Sequence, residues 1–165
     1  MEILDILILG SGPAALCLAS ELAKQNLNIK GISTKSPYEK WENTYGIWAS
    51  ELEEFGLASL LSHRWSKTVS YFGDGIKDKG NSPTKHYYDY GLINQEAFQN
   101  ELLKTCKGIQ WLNETAKLIK SENKISEVIC SSGLKLKARL VIDASGHKSK
   151  FIKRPFLKEV AQQAA

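Results

Sequence analysis

The sequence predicts an α/β protein of Rossmann-like fold built on a dinucleotide-binding βαβ unit, and three observations carry that prediction. An apolar run, Ile6-Leu7-Ile8-Leu9, drops directly into Gly10-Ser11-Gly12-Pro13-Ala14-Ala15. An amphipathic segment, Leu16 to Gln25, and a second apolar run, Leu27 to Ile32, follow at once. Near the other end, Leu140-Val141-Ile142 reaches Asp143-Ala144-Ser145-Gly146, a second apolar strand that stops in small residues. Strand, glycine turn, helix and strand in succession are the layout of a dinucleotide-binding βαβ unit.

Each position of the turn has a physical reason. Gly10 lets the chain bend sharply off the strand, and Gly12 has no Cβ to keep a pyrophosphate from the backbone. Pro13 lacks an N–H and suits the first helical position, where that donor has no partner anyway. The N–H groups of Ser11, Gly12, Ala14 and Ala15, with the positive end of the helix, then favour an anion. Ala15 stands where the third glycine of the fingerprint falls. Along the helix Ala15, Leu18, Ala19 and Leu22 recur at i, i+3, i+4 and i+7 and predict one buried stripe. The acidic residue that would close the second strand and hold the adenosine ribose is absent; Ser33-Thr34-Lys35 stands there, leaving hydroxyls for that contact. The other reading is a glycine turn between ordinary packed elements.

The 165 residues suffice for one domain or slightly more, and 42% apolar with 24% charged residues is ordinary for a globular chain. A net charge of +4 is compatible with an anionic lipid surface or a nucleotide phosphate and gives no reason to expect nucleic-acid binding. Cys17, Cys106 and Cys130 are too scattered for a disulfide framework or a zinc site and point to a reducing, intracellular setting. No run approaches the roughly eighteen apolar residues of a membrane span, and the first strand follows Met1 too closely for a signal or transit peptide.

Beyond the βαβ unit, Ser36-Pro37-Tyr38 breaks away, and Trp41-Glu42-Asn43-Thr44-Tyr45-Gly46-Ile47-Trp48 is unusually aromatic for a loop. Its rings either cover something flat or form a satellite core. Ser50 to Leu61 reads as helical, with Leu52, Phe55 and Leu60 buried and Gly56 a weakness; Trp65 to Phe72 reads as a strand. Gly73 to Lys85 has the composition of a surface connection. Asn94 is a good N-cap for a helix through Lys107 with Phe98, Leu102, Leu103 and Cys106 inward. Gln110–Leu112, Ala116–Lys120 and Ile125–Cys130 predict a meander of strands with a turn at Ser132-Gly133.

If the strand ending at Asp143 lies beside the first, its tip reaches the same crevice as Gly10 to Ala15, because ligands in open α/β sheets bind outside the carboxyl ends of the strands. The alternative is a carboxylate that caps a turn. Lys148, Lys150, Lys153, Arg154 and Lys158, interleaved with Phe151, Ile152, Phe156 and Leu157, form either a membrane-facing basic patch or a solvated face.

With these motifs in place, the chain resembles the flavoprotein lycopene cyclases of plants and cyanobacteria over nearly its whole length. The resemblance rests on Asp5 to Ala15, Asn43 to Trp48, Trp65-Ser66 with Val69 and Tyr71, Tyr90-Gly91 with Asn94, and Val141 to Gly146. It implies the Rossmann-like FAD-binding fold of the FAD monooxygenase-like superfamily, incomplete at its C-terminus. The expected divisions are a βαβ unit with aromatic loop (1–48), an inserted segment (49–93), a helix, meander and final strand (94–150), and a truncated tail (151–165).

By the same resemblance, FAD lies along Gly10, Ser11, Gly12, Pro13, Ala14 and Ala15 with its ribose near Ser33. The flavin ring sits near Thr44, Tyr45 and Gly46, and Asp143 and Gly146 line the same crevice. NADPH supplies electrons. The implied reaction is the redox-neutral closure of a β or ε ring on lycopene, at the cytoplasmic face of a photosynthetic membrane to which the protein attaches peripherally. Plant members carry an acid where Ser33 stands and an arginine where Leu92 stands. The acidic segment that supplies the proton has no counterpart, so the resemblance gives no catalytic residue and implies an amino-terminal part that is inactive alone. A related FAD-dependent oxidoreductase (a monooxygenase or prenyl reductase) and a non-catalytic nucleotide-binding remnant are the other readings.

Overall fold

A computed structural model describes residues 2–71, 83–147 and 149–152. In chain order the elements are β1 (Ile3–Leu9), α1 (Pro13–Leu22), β2 (Ile29–Ser33), β3 (Gly46–Trp48), α2 (Ala49–Glu54), β4 (Leu61–Trp65), β5 (Val69–Ser70) and β6 (Thr84–Lys85). They continue as β7 (Tyr90–Ile93), α3 (Gln95–Thr105), β8 (Gln110–Asn113), β9 (Ala116–Glu122), β10 (Ile125–Cys130) and β11 (Lys135–Asp143). The chain divides into two compact units, one of Met1–Pro37 with Gly108–Ala165 and one of Tyr38–Lys107.

The first unit is a six-stranded sheet in the order β8-β2-β1-β11-β10-β9. β1 pairs in parallel with β2 on one side and with β11 on the other, with Leu9 opposite both Ile32 and Asp143. The Ile6–Leu9 run is apolar throughout because both its faces are covered: all four side chains are buried. Burial of one such leucine or isoleucine is worth roughly 1.5–3 kcal/mol. A core cluster joins Leu4, Leu7, Leu9 and Ile32 to Val128, Cys130 and Ala138 of the meander. The β9-β10-β11 meander forms as its turn chemistry predicts, with Gly133 at φ +92° in the last turn. Gln110–Asn113, expected to belong to the meander, instead pairs in parallel with β2 at the opposite edge of the sheet. Its partner lies about eighty residues earlier in the chain, which no local signal records.

On α1 the buried residues are Ala15, Leu16, Ala19 and Ser20, so the stripe is rotated by about one position from the one expected, and Leu18 and Leu22 are only half-buried. Ser20 tolerates burial by donating its hydroxyl to the Cys17 carbonyl at 2.8 Å.

The second unit holds a three-stranded antiparallel sheet, β3-β7-β4, a two-stranded ribbon, β5-β6, and helices α2 and α3. Asn94 caps α3, its side-chain oxygen accepting the Ala97 N–H at 3.1 Å, and Phe98, Leu102, Leu103 and Cys106 are buried as the spacing predicts. Two expectations are corrected. The strand expected over Trp65–Phe72 ends at Trp65, where Lys67 at φ +60° turns the chain into the separate ribbon. Phe55, expected to be buried, is 75% exposed because α2 stops at Glu54 and Gly56 at φ +70° carries the chain away. Most of the Gly73–Lys85 connection, and the tail from Lys153, lie outside the described residues.

Candidate nucleotide site

The site is built where β1 runs out. Gly10 N–H donates to the Ile32 carbonyl of β2 at 2.8 Å, and Ala144 N–H donates to the Leu9 carbonyl at 2.9 Å. The turn is therefore held by the strand on each side, β2 and β11. The two glycines of the fingerprint differ in what they do. Gly10 sits at φ +107°, and a Cβ there would lie 2.5 Å from the Ala144 carbonyl oxygen, so this glycine is required by the strand packed beside it. Gly12, at φ −77° and ψ −176°, has an ordinary extended backbone, and a Cβ there would meet nothing within 4 Å. Nothing in the packing demands glycine at that position. The space it keeps clear faces a helix start.

That helix start is bare. Pro13 occupies the first helical position as expected, Gly12 caps without any side-chain hydrogen bond, and no acidic residue lies in the first turn. Leu16 N–H closes the first helical bond on the Gly12 carbonyl at 3.0 Å, leaving the N–H groups of Ala14 and Ala15 without an intrahelical acceptor. Ala14 is exposed and Ala15 fully buried against the sheet, which explains why alanine fits where the third glycine was expected.

Ser11 and Ser33 are brought together. Their hydroxyls lie 2.9 Å apart, Ser11 Oγ also donates to the Lys35 carbonyl at 3.0 Å, and Ser33 Oγ accepts the Lys35 N–H at 3.3 Å. A carboxylate at position 33 would meet the same hydroxyl. Here the pair fixes the end of β2 against the glycine turn. Asp143 caps its own turn: one oxygen accepts the Ser145 N–H at 3.1 Å and the Ser145 hydroxyl at 2.5 Å, and the other accepts the Ser149 hydroxyl. Partial burial pushes its carboxyl up, but the Ser145 and Ser149 hydroxyls and the Ser145 N–H together outweigh that and hold it below the ordinary range. Gly146 follows at φ +86°, with open space where a Cβ would stand.

Thr44, Tyr45 and Gly46 belong to the second unit. Thr44 is exposed; Tyr45 packs its ring edge-on against buried Trp41 at 5.8 Å, and Trp41 in turn meets Phe98 at 6.2 Å. The satellite-core alternative thus describes Trp41 and Tyr45. Gly46 opens β3, and its missing side chain is used by Tyr90: a Cβ there would lie 2.3 Å from the Tyr90 hydroxyl. Gly31 is a position that motif reasoning passes over. A Cβ there would lie 2.1 Å from the Trp111 ring on β8, and the one available signal was a glycine inside an apolar strand.

The geometry defines a class first: an α/β protein whose parallel strands end in a glycine turn and an uncapped helix start. Solved structures agree on the fold. p-Nitrophenol 4-monooxygenase PnpA of Pseudomonas putida superposes with a TM-score of 0.61 at 19% identity, over 91% of this chain and 43% of that one. A protein described as an FAD-containing monooxygenase from Photorhabdus luminescens gives 0.60 at 19% identity, over 89% and 40%. The architecture is the Rossmann-like fold that these structures share.

Sequence comparison then names the family. The family model described as "Lycopene cyclase protein" matches residues 5–164, and this chain belongs to that family. Lycopene beta cyclase of Synechococcus elongatus is 44% identical over 163 residues, 98% of this chain and 38% of the relative. The chloroplastic lycopene beta cyclase of Arabidopsis thaliana is 31% identical over 147 residues, 88% and 28% respectively. The chain thus spans about a quarter to two-fifths of the length of the curated relatives it matches.

Proposed function

We propose that this chain is the FAD-holding part of a lycopene cyclase, serving β- or ε-ring formation in carotenoid biosynthesis. The observation that carries the proposal is the unneeded glycine at position 12, which keeps bare backbone open beside an uncapped helix start. The residues present fit the group: Gly12 with the N–H groups of Ala14 and Ala15 would hold the pyrophosphate, the Ser11–Ser33 pair would meet the adenosine ribose, and Asp143 and Gly146 would bound the crevice. Thr44, Tyr45 and Gly46 are assigned to the flavin ring. The cofactor, reduced by NADPH, supplies negative charge near a developing carbocation without net redox change. The protein's own contribution is to hold the dinucleotide on fixed backbone dipoles, which do not reorganise during reaction. Peripheral attachment to the cytoplasmic face of a photosynthetic membrane belongs to the same reading, since the hydrocarbon substrate is lipid-soluble. The isolated chain is expected to be inactive, because it matches less than half the length of any relative named above.

The test has two parts. FAD titrated into the purified chain should bind saturably, with quenching of flavin fluorescence. A chimera in which residues 1–165 replace the matching segment of the Synechococcus elongatus enzyme should form cyclic carotenoid in a lycopene-accumulating host. Absence of flavin binding, or unchanged lycopene from a folded chimera, would overturn the proposal.

A further inference from the structure

The second unit carries a row of aromatic side chains to which the proposed nucleotide contacts assign no role. Trp48 of β3, Tyr90 of β7 and Trp65 of β4 are directly paired across the three-stranded sheet, so their side chains share one face. The next rung on that face is Gly46, Leu92 and His63. Tyr90 contacts Trp48 edge-on at 5.4 Å and lies at 32° to Trp65 at 6.5 Å, with its hydroxyl end over the bare backbone of Gly46. His63 continues the row, 4.5 Å from Trp65. Trp65 is 43% and Tyr90 37% exposed, while Trp48 is half-buried against His86 at 5.1 Å and Tyr88 at 6.3 Å. The cation on β4, Arg64, is paired with Glu53 and alternates to the other face of the strand. The two rungs therefore present rings and one aliphatic side chain, with no Lys, Arg, Asp or Glu among their six residues.

We infer that the Trp48–Tyr90–Trp65 row binds an extended, conjugated hydrocarbon chain, lying across the Tyr90 and Trp65 rings with Trp48 perpendicular beside them. Across the three strands the ring centroids follow at 5.4 and 6.5 Å, a track that suits a linear polyene better than a compact ligand. Charge complementarity favours the same occupant. The inference rests on the function proposed above, in which positive charge develops on the hydrocarbon, and the faces of indole and phenol rings carry the partial negative charge that such a cation seeks. Gly46 has a role here as well: without a side chain, it lets the Tyr90 ring lie down as part of the track.

Lycopene is achiral and acquires visible circular dichroism only when held in an asymmetric site, which provides a readout independent of turnover. The 165-residue chain in mild detergent should induce a saturable signal on lycopene. Trp65→Leu should weaken that affinity roughly three- to tenfold while leaving far-ultraviolet dichroism intact, and Trp65→Tyr should restore it to within about twofold. Squalane, a saturated isoprenoid, should fail to compete. Equal signals from wild type and Trp65→Leu would overturn the inference. So would equal competition by squalane, which would make the face a general lipid surface, or a Trp65-dependent dimer in sedimentation, which would assign it to a second copy. FAD titration of the same samples separates the two claims: flavin binding without a Trp65-dependent signal rejects the aromatic row alone, and loss of both rejects the function as well.

Discussion

Helices α1 and α3 start in opposite ways, and the contrast shows which one satisfies its own donors. At α3, Asn94 accepts the Ala97 N–H and Glu96 lies in the first turn, so the helix satisfies its own donors and complements its own dipole. At α1, Gly12 caps with no side chain, Pro13 removes one donor and no acid follows. A side-chain cap stabilises a helix over a glycine cap by about a few tenths of a kcal/mol, and α1 forgoes that. A helix start left open beside a glycine whose Cβ would meet nothing is the feature on which the proposed phosphate contact rests.

The sharpest way to break this contrast is to give α1 the cap that α3 has. Gly12→Asp should leave the free chain as stable as wild type or a few tenths of a kcal/mol more so, because the backbone at φ −77° suits any residue. The same carboxylate would occupy the phosphate position and repel it, so FAD affinity should fall by about a hundredfold or more. Calorimetric titration beside urea unfolding checks both halves. Unchanged flavin binding would return the turn to an ordinary connection between packed elements.

Gly10 should behave in the reverse manner. Gly10→Ala places a methyl group against the Ala144 carbonyl at a φ that alanine adopts reluctantly, and should cost about 2–3 kcal/mol of stability. Urea unfolding reads the loss directly. A stability within 0.5 kcal/mol of wild type, a margin typical of neutral surface changes, would show that the β1 and β11 tips are not locked together as described.

What the sequence revealed follows the same division between local and distant causes. The glycine turn, Pro13 at the first helical position and the Asn94 cap are all legible, because each depends on residues within a few positions of one another. The position of Gln110–Asn113 beside β2 and the bed that Gly46 makes for Tyr90 are not, because both depend on partners far along the chain. Lys67 at φ +60° misled the strand assignment for a different reason: lysine rarely adopts that conformation, so nothing in its identity marks the turn. At the candidate site, the convergence of Gly10 with the tip of β11 followed from the rule for open sheets once both apolar strands were recognised.

Asp143 gives a smaller, pH-dependent test of the β11 tip. A carboxyl held below its ordinary range adds stability at neutral pH, and that contribution disappears as pH falls through the depressed folded value. Asp143→Asn retains one acceptor oxygen and should cost about 1 kcal/mol at pH 7. The gap from wild type should close as pH falls below that depressed value, where both side chains are neutral. A gap that stays constant from neutral to acid would mean that the turn is held by packing and not by the carboxylate.

The smallest effect completes the comparison from the α3 side. Asn94→Ala removes the acceptor from Ala97 N–H and should cost about 1 kcal/mol, with faster hydrogen exchange concentrated at Ala97 and its neighbours in the first turn. Asn94→Asp should preserve protection at that amide, since aspartate accepts the same bond and adds charge favourable to the dipole. FAD should leave these amides unchanged while slowing exchange at Ala14 and Ala15, which gain an acceptor only when the phosphate arrives. If flavin instead protected Ala97 and left Ala14 exposed, the anion would belong at α3, and the open start of α1 would have lost its explanation.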